Sequence, residues 1–226
     1  MNEHLQLDEV DVDGALRETA DAVKSHTRAG FLRKAGIGGA TVLGGSAFLG
    51  ALPQIAGAAT IPASDMAILN FALTLEYLES AFYSEAVTNG KLTGETLRFA
   101  NVVKNHEYAH VQYLQKVLGA KAVATPSFNF QGTTSDQAMF QATADALENT
   151  GVHAYLGQIL NIKTPAVLLG AGRILPIEAR HAAWIRDIRF AGGSTVETTP
   201  APASFDDGFT MAQILTAVKA TGFITS

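Results

Sequence analysis

Glutamate and histidine recur at fixed spacings in this 226-residue chain. Glu107 and His110 form one Glu-x-x-His motif, and Glu178 and His181 form a second one, 71 residues later. Residues at positions i and i+3 of a helix lie on the same face, so each motif could hold one metal ion. The chain has no cysteine, which leaves histidine, aspartate and glutamate as the side chains able to bind a metal.

A glutamate surrounded by apolar residues precedes each motif by about 30 residues. Glu76, followed by Tyr83, matches Glu148, followed by Tyr155, at an offset of 72 residues. Because this offset is nearly the same as that between the two motifs, the sequence predicts an internal repeat of a two-helix unit. Four buried carboxylates carry a charge that two divalent cations would balance, and without metal their burial would be costly. The predicted metal ligands are Glu76, Glu107, His110, Glu148, Glu178 and His181.

Helices must position these residues, because apolar side chains recur at intervals of three and four along the chain. Residues Ser64 and Asp65 are expected to cap the first helix, and Ser135 and Asp136 the third. No segment between the helices alternates like a strand, so the predicted fold is all-α. The predicted helices cover residues 64–89, 97–118, 135 to about 162, 165 to about 191, and 211–220.

The connections between the helices predict how they are arranged. Short turns join the first helix to the second and the third to the fourth, so each pair should be antiparallel. Residues 119–134 form a linker that could extend to roughly 50 Å, whereas a helix of 26 residues is about 40 Å long. We therefore expect a bundle with one long crossover that runs the length of a helix.

The order and spacing of the six residues resemble the ferritin-like superfamily of dinuclear carboxylate proteins, over residues 64 to about 190. The resemblance implies a four-helix bundle of two repeated helix pairs, with a short C-terminal helix, that binds two divalent metal ions. Iron is the first candidate, manganese the second, and zinc remains open. Glu107 and Glu178 would bridge the two ions, with one histidine on each ion.

Two functions are compatible with this resemblance. The first is redox chemistry with oxygen or peroxide, as a ferroxidase, in peroxide removal or in metal sequestration under stress. The second is a non-enzymatic stress protein of the cell envelope, in which the metals only brace the helices. Within the superfamily, the leader, the Leu-Glu-Tyr-Leu-Glu segment and the short last helix are similar to the exported family that includes desiccation-related proteins.

Several polar residues near the predicted ligands have more than one interpretation. Glu79 lies one turn after Glu76 and could act as an additional mobile carboxylate. Tyr83 and Tyr155 could orient ligand glutamates, although core packing is the simpler interpretation. His106 has no counterpart in the repeat and is expected at the surface or behind the ligands, and His153 is expected to be structural.

The N-terminal part of the chain resembles an export signal. Residues 35–64 contain no Asp, Glu, Lys or Arg, they follow a basic segment, and small residues at 56–59 would suit a signal peptidase. The pattern is similar to a twin-arginine signal, except that Ala29 stands where the second arginine belongs. A membrane anchor is the alternative, which the many glycines and Pro53 disfavour. The expected location is the periplasm or cell envelope.

These patterns predict three parts of the chain: a leader over residues 1–59, the bundle over 60–192, and a loop with the short helix, packing on the bundle, over 193–226. The composition, 47% apolar with a net charge of −5, describes a packed globular protein and argues against nucleic acid as a partner. The expected partners are metal ions and oxygen or peroxide, with membrane contact only through an uncleaved leader. A homo-oligomer is compatible with the sequence.

Overall fold

The computed structural model describes residues 61–225, so the predicted export signal lies almost wholly outside the described residues. Within this range the chain forms five α-helices and no strand longer than an isolated bridge, which confirms the predicted all-α fold. None of these helices is long and apolar enough to cross a membrane. The helices are α1 (Ala63–Asn89), α2 (Gly94–Leu118), α3 (Gln137–Gln158), α4 (Pro165–Arg189) and α5 (Met211–Thr221).

The first four helices form the bundle. Most helix contacts join α1 to α2 and α3 to α4, and the two pairs meet where α2 packs on α4 and α1 on α3. Short turns within each pair make its helices antiparallel. Residues 119–136 connect the pairs and include one short 3-10 segment, Gly119–Lys121. This connection is the predicted long crossover.

Two of the predicted helix ends are correct in their chemistry. Gly90 ends α1 in the left-handed conformation with a φ of 65°, which glycine adopts without a steric penalty. The Asp136 side chain caps α3 by accepting a hydrogen bond from the Met139 amide at 2.8 Å. In contrast, α3 ends at Gln158, about four residues before the predicted end. Pro165 limits how far α3 could continue, because the residue before a proline is disfavoured in a helix.

The predicted cap of α1 is wrong. This helix begins after Pro62 and has no side-chain cap. Asp65 is buried and instead accepts hydrogen bonds from the amides of Lys163, at 3.1 Å, and Thr164, at 2.7 Å. Those two amides immediately precede α4, so Asp65 joins the start of α1 to the start of α4. The polar side chain therefore satisfies another helix rather than its own.

The interior of the bundle contains two hydrophobic clusters of different character. The aromatic cluster is built around Phe82, Tyr83, Phe99, Phe130 and Phe140. In it the Phe82 ring stacks on Phe140 with centroids 5.2 Å apart. The aliphatic cluster is dominated by branched side chains and includes Ile68, Leu73, Leu114, Val167 and Ile174. The polar residues predicted as ligands lie between the two clusters along the helices.

The C-terminal segment packs against the bundle. Helix α5 contacts α3 and buries Ile214 and Val218 in the aromatic cluster. After α5 the chain runs antiparallel to the crossover, where the Asn129 amide donates to the Phe223 carbonyl at 2.8 Å. The Thr225 amide donates to the Ser127 carbonyl at 2.9 Å in the same contact. The end of the chain thus holds the crossover in place.

Candidate metal centre

All four bundle helices contribute polar side chains to one buried cluster. Glu76 comes from α1 and Glu148 from α3, while α2 and α4 each contribute a Glu-x-x-His motif. The four glutamates are at most 1% exposed. His181 is also buried, and the His110 side chain is 12% exposed. Such burial is rare for charged side chains unless they are paired or bind a metal.

The structure brings the six predicted residues together. Their ligand atoms form two groups, and within each group these atoms lie within 4.8 Å of one another. The first group consists of Glu76, Glu107, His110 and Glu178, and the second of Glu107, Glu148, Glu178 and His181. Glu107 and Glu178 belong to both groups, as expected of carboxylates that bridge two ions. Their role as ligands stays a prediction.

Both imidazole rings turn Nδ1 towards the carboxylates. His110 Nδ1 lies 3.2 Å from Glu76 Oε2 and 3.1 Å from Glu178 Oε1. His181 Nδ1 lies 3.1 Å from Glu107 Oε1 and from Glu148 Oε2. A nitrogen with a free lone pair in this position could bind an ion together with the surrounding carboxylates.

Three buried carboxylate oxygens accept no well-directed hydrogen bond: both oxygens of Glu178 and Oε1 of Glu107, although an imidazole Nδ1 lies 3.1 Å from Glu178 Oε1 and from Glu107 Oε1. Buried polar atoms are normally hydrogen-bonded, and an unpaired carboxylate oxygen is costly. A divalent cation would satisfy these atoms. The unpaired oxygens are on the two glutamates shared by both groups, and carboxylate with imidazole suits iron, manganese or zinc. The residues present therefore fit a pair of such ions.

Without metal, several side chains of the cluster have pKa values far from their ordinary range. Burial and the charges of Glu107 and Glu76 raise the pKa of Glu178 well above its usual range. Burial also raises the pKa of Glu76, which the His110 charge only partly offsets, so this pKa is about 7. Burial alone would lower the pKa of His181, but Glu148 and Glu107 outweigh it and raise this pKa to about 11.

Glu107 behaves in the opposite way. Its burial would raise its pKa, but the His110 and His181 rings outweigh that effect and hold the pKa well below the usual range. The cluster without metal is thus neutralised by protons shared among carboxylates and imidazoles. Because metal ligands must be deprotonated, binding of cations would release these protons.

Two tyrosines extend the cluster in a crossed arrangement. The Tyr155 hydroxyl, on α3, donates to Glu76 Oε1 on α1 at 2.5 Å. The Tyr83 hydroxyl, on α1, donates to Glu148 Oε1 on α3. The spacing along the sequence places each tyrosine two turns from the glutamate of its own helix, whereas the structure pairs it with the glutamate of the other. Both rings pack in the core, and their hydroxyls orient the two glutamates.

His106 lies directly behind His181. Its Nδ1 is 2.8 Å from His181 Nε2, and the two rings stack with centroids 5.1 Å apart. This position, exposed and outside the ligands, agrees with the interpretation of His106 as a residue behind the site. His153 is remote from the cluster: its Nδ1 donates to the Asp207 carbonyl, and its ring stacks on Phe209.

Glu79 is a further buried carboxylate at the edge of the cluster, only 3% exposed. Burial and the charges of Glu178 and Glu148 raise its pKa well above the usual range. Gly151 occupies the position equivalent to Glu79 in the repeat. A Cβ atom at Gly151 would lie 3.5 Å from Glu79 Oε1 and 3.2 Å from Glu178 Oε2. A side chain at this position would therefore press on Glu178, whereas it would meet Glu79 only at an ordinary contact distance. Glu79 belongs to neither group of four.

A comparison with known protein families identifies the segment that contains the four bundle helices. Residues 64–191 match the family model described as a ferritin-like domain. The matched segment begins one residue into α1 and ends two residues beyond α4, so it includes all four bundle helices and the complete cluster. No curated protein matches the chain significantly.

Proposed function

This chain belongs to the ferritin-like domain family, and from that membership we propose that it holds two divalent ions in a redox-active centre. Iron is the first candidate for both ions, manganese the second and zinc the third. The observation that carries the proposal is the pair of four-residue groups that share Glu107 and Glu178. Two shared carboxylates, with one histidine and one further glutamate on each side, offer matched positions for two ions.

When bound, ions that change between divalent and trivalent states would supply electrons to dioxygen or peroxide. The protein contributes the positioning. Tyr155 and Tyr83 hold Glu76 and Glu148 through their hydroxyl groups. When Nε2 of His181 carries the proton, it donates to His106 and leaves Nδ1 free for an ion. The proposed outcomes are ferrous oxidation, peroxide removal or metal sequestration under stress.

A specific observation also favours a structural role for the metals. Each group of four draws its side chains from three helices, and together the groups connect all four helices of the bundle. Two ions would therefore brace the fold, and their binding free energy would contribute to folding. In this alternative the protein is a cell-envelope stress protein, like the desiccation-related branch, and performs no turnover.

We further propose that the protein is exported to the periplasm or cell envelope. The support comes from the uncharged run at residues 35–64, the basic segment before it and the small residues at 56–59 within it. Intact-mass analysis of the protein isolated from the envelope tests this proposal. The mass of a chain that starts near residue 60 supports export with cleavage, whereas full-length protein confined to the cytoplasm contradicts the proposal.

Metal analysis of purified protein tests the centre itself. Wild-type protein should contain about two iron or manganese ions per chain, and the double variant Glu107→Ala with Glu178→Ala should lose them. The matched control replaces two exposed acidic residues, Glu197→Ala with Asp206→Ala, and should keep both ions. Folded wild-type protein that takes up neither metal on reconstitution would refute the centre.

A ferrous oxidation assay separates the two functions. The redox proposal predicts consumption of oxygen or peroxide over many turnovers, well above the rate in buffer, and its loss in the double variant. The structural alternative predicts stoichiometric metal that raises the unfolding temperature without turnover. Both measurements use the full chain with and without metal, so a folding defect in the variant is seen directly by circular dichroism.

A further inference from the structure

An apolar cavity lies in the interior of the bundle, mainly within the aliphatic cluster and bordered by Phe71, Leu75 and Ala154 of the aromatic cluster. Side chains from all four helices line it, among them Leu75, Leu114, Ala154 and Ile174. Its volume is about 20 Å³, and by the same measure one water molecule needs about 10–15 Å³. The cavity therefore has room for one small molecule.

The internal repeat explains why the cavity exists. Two phenylalanines of the aromatic cluster correspond, at an offset of 72 residues, to smaller side chains that line the cavity, and a third corresponds, at an offset of 71, to a glycine next to the lining residue Ala171. These three pairs of repeat-equivalent positions are Phe82 with Ala154, Phe140 with Ile68, and Phe99 with Gly170. Phe82 and Phe140 thus fill space that Ala154 and Ile68 leave free, although the rings of Phe71, Tyr113 and Tyr155 also line the cavity.

The third pair, Phe99 and Gly170, differs in the aromatic ring that packs on each residue. In the aromatic cluster, Trp184 packs against Phe99 with centroids 5.3 Å apart. Tyr113 is the repeat equivalent of Trp184, and a Cβ atom at Gly170 would lie 2.0 Å from its hydroxyl. Tyr113 therefore rests on the glycine backbone, where a phenylalanine could not be accommodated. Gly170 thus makes room for the Tyr113 ring, which itself lines the cavity.

The cavity adjoins the candidate metal centre. Ala72, Leu114 and Ile174 in its wall lie four residues, about one helical turn, from Glu76, His110 and Glu178. Residues four apart are neighbours on one helix face, so the cavity occupies the layer next to the cluster. Tyr155 separates the two, since its ring lines the cavity and its hydroxyl donates to Glu76.

The wall offers little to a water molecule, and of its three polar side chains Tyr113 places its hydroxyl against the Gly170 backbone. The Tyr155 hydroxyl is directed to Glu76, and the Gln158 side chain bonds to the Phe209 carbonyl and to Asn161. An apolar cavity without free polar partners stays dry and accepts apolar ligands such as xenon. We propose that this cavity binds one small apolar molecule of about the size of dioxygen, beside the metal centre. The identity of that molecule as dioxygen rests on the proposed function.

Xenon is the probe for the cavity, and metal-free full-length protein is the sample, so this test does not depend on metal chemistry. Xenon should shift the methyl resonances of Leu75 and Ile174 saturably. It should not shift those of their repeat equivalents, Leu147 and Val103, which do not line the cavity. Absence of a saturable shift at Leu75 and Ile174 in folded protein would overturn the proposal.

The variant Ala154→Leu fills the cavity and should abolish the xenon shifts, whereas Ala217→Leu, on the exposed face of α5, should leave them intact. If Ala154→Leu does not fold, the smaller change Ala72→Val serves the same purpose. Shifts that persist in a folded, filled variant would place the xenon elsewhere and refute the assignment.

Oxygen kinetics of the iron-loaded protein test dioxygen as the ligand. The KM for oxygen should rise about tenfold or more in the filled variant, because a mismatch of one methylene in an apolar pocket costs at least that much. The rate at saturating oxygen and the metal content should not change. An unaltered KM alongside bound xenon would exclude dioxygen, and a wild-type protein that consumes no oxygen would refute the proposed function while the xenon result still decides the cavity.

Discussion

Removal of the Tyr155 hydroxyl should destabilise the bundle and weaken its affinity for metal. This hydroxyl donates to Glu76 at 2.5 Å, and both side chains are buried. A hydrogen bond to a charged group contributes about 1.5–3 kcal/mol, and its removal leaves a buried acceptor unpaired. Because Tyr155→Phe keeps the ring, the apolar packing is preserved. We therefore expect a loss of about 2 kcal/mol in the free energy of unfolding.

Thermal unfolding of metal-free protein measures this loss at a pH above 7, where Glu76, with a pKa of about 7, is charged. For a domain of this size, 1 kcal/mol corresponds to roughly 2–4 °C, so Tm should fall by roughly 4–8 °C. Metal affinity, measured by competition with a chelator, should fall by about 10- to 100-fold, as for other groups that orient metal ligands. Tyr83→Phe should behave similarly, because Tyr83 makes the equivalent bond to Glu148.

The control is Tyr108→Phe, since Tyr108 lies on a helix of the site but is 57% exposed. Its substitution should change neither Tm nor metal affinity. The reasoning fails if Tyr155→Phe stays within about 0.5 kcal/mol of wild type, the range of ordinary surface changes, and binds metal equally well. Such a result would mean that Tyr155 contributes only the packing of its ring.

Four further predictions concern other parts of the cluster and its support. Metal-free protein should lose stability as pH rises from about 5 to 8, because folded Glu76, with a pKa of about 7, keeps a proton that the unfolded chain releases near 4.5. His181, with a pKa of about 11, continues this loss at higher pH, and urea unfolding that shows rising stability instead would contradict both. His106→Ala should reduce metal affinity by about tenfold in chelator competition with unchanged helix content. Glu79→Gln should alter metal occupancy or the oxidation rate, and an unchanged centre would exclude Glu79 from the chemistry. Asp65→Ala should cost about 3 kcal/mol in urea unfolding, since the two amides before α4 lose their charged acceptor, and a cost below about 1 kcal/mol would count against the observed contact.

The fold was predictable because its main signals are local. Helix periodicity, the glycine after α1 and the proline at the start of α4 depend on residues close in sequence. The length of the crossover then restricts how two antiparallel pairs can associate. The convergence of Glu76 with Glu148, and of the two Glu-x-x-His motifs, was predictable from the repeat, because equivalent positions of a pseudo-symmetric bundle face the same interior.

The remaining features depend on contacts between helices that spacing along one helix does not reveal. The crossed bonds of Tyr83 and Tyr155 connect residues 65 and 79 positions away. Asp65 looks like a local cap in the sequence, yet its side chain accepts a hydrogen bond from an amide almost 100 residues later in the chain. His106 has no repeat partner, so only the position of its ring behind His181 shows what it contacts.

The contact between the crossover and the C-terminal segment has a consequence for the order of folding. Phe130 in the crossover and Phe223 near the end of the chain pack edge to face, with centroids 5.5 Å apart. Chains are synthesised from the N-terminus, and domains generally fold as units during synthesis. Both helix pairs can therefore form while the ribosome still holds the last residues. The aromatic end of the bundle remains uncovered, and prone to aggregate, until translation is complete, so premature termination within α5 should yield insoluble protein.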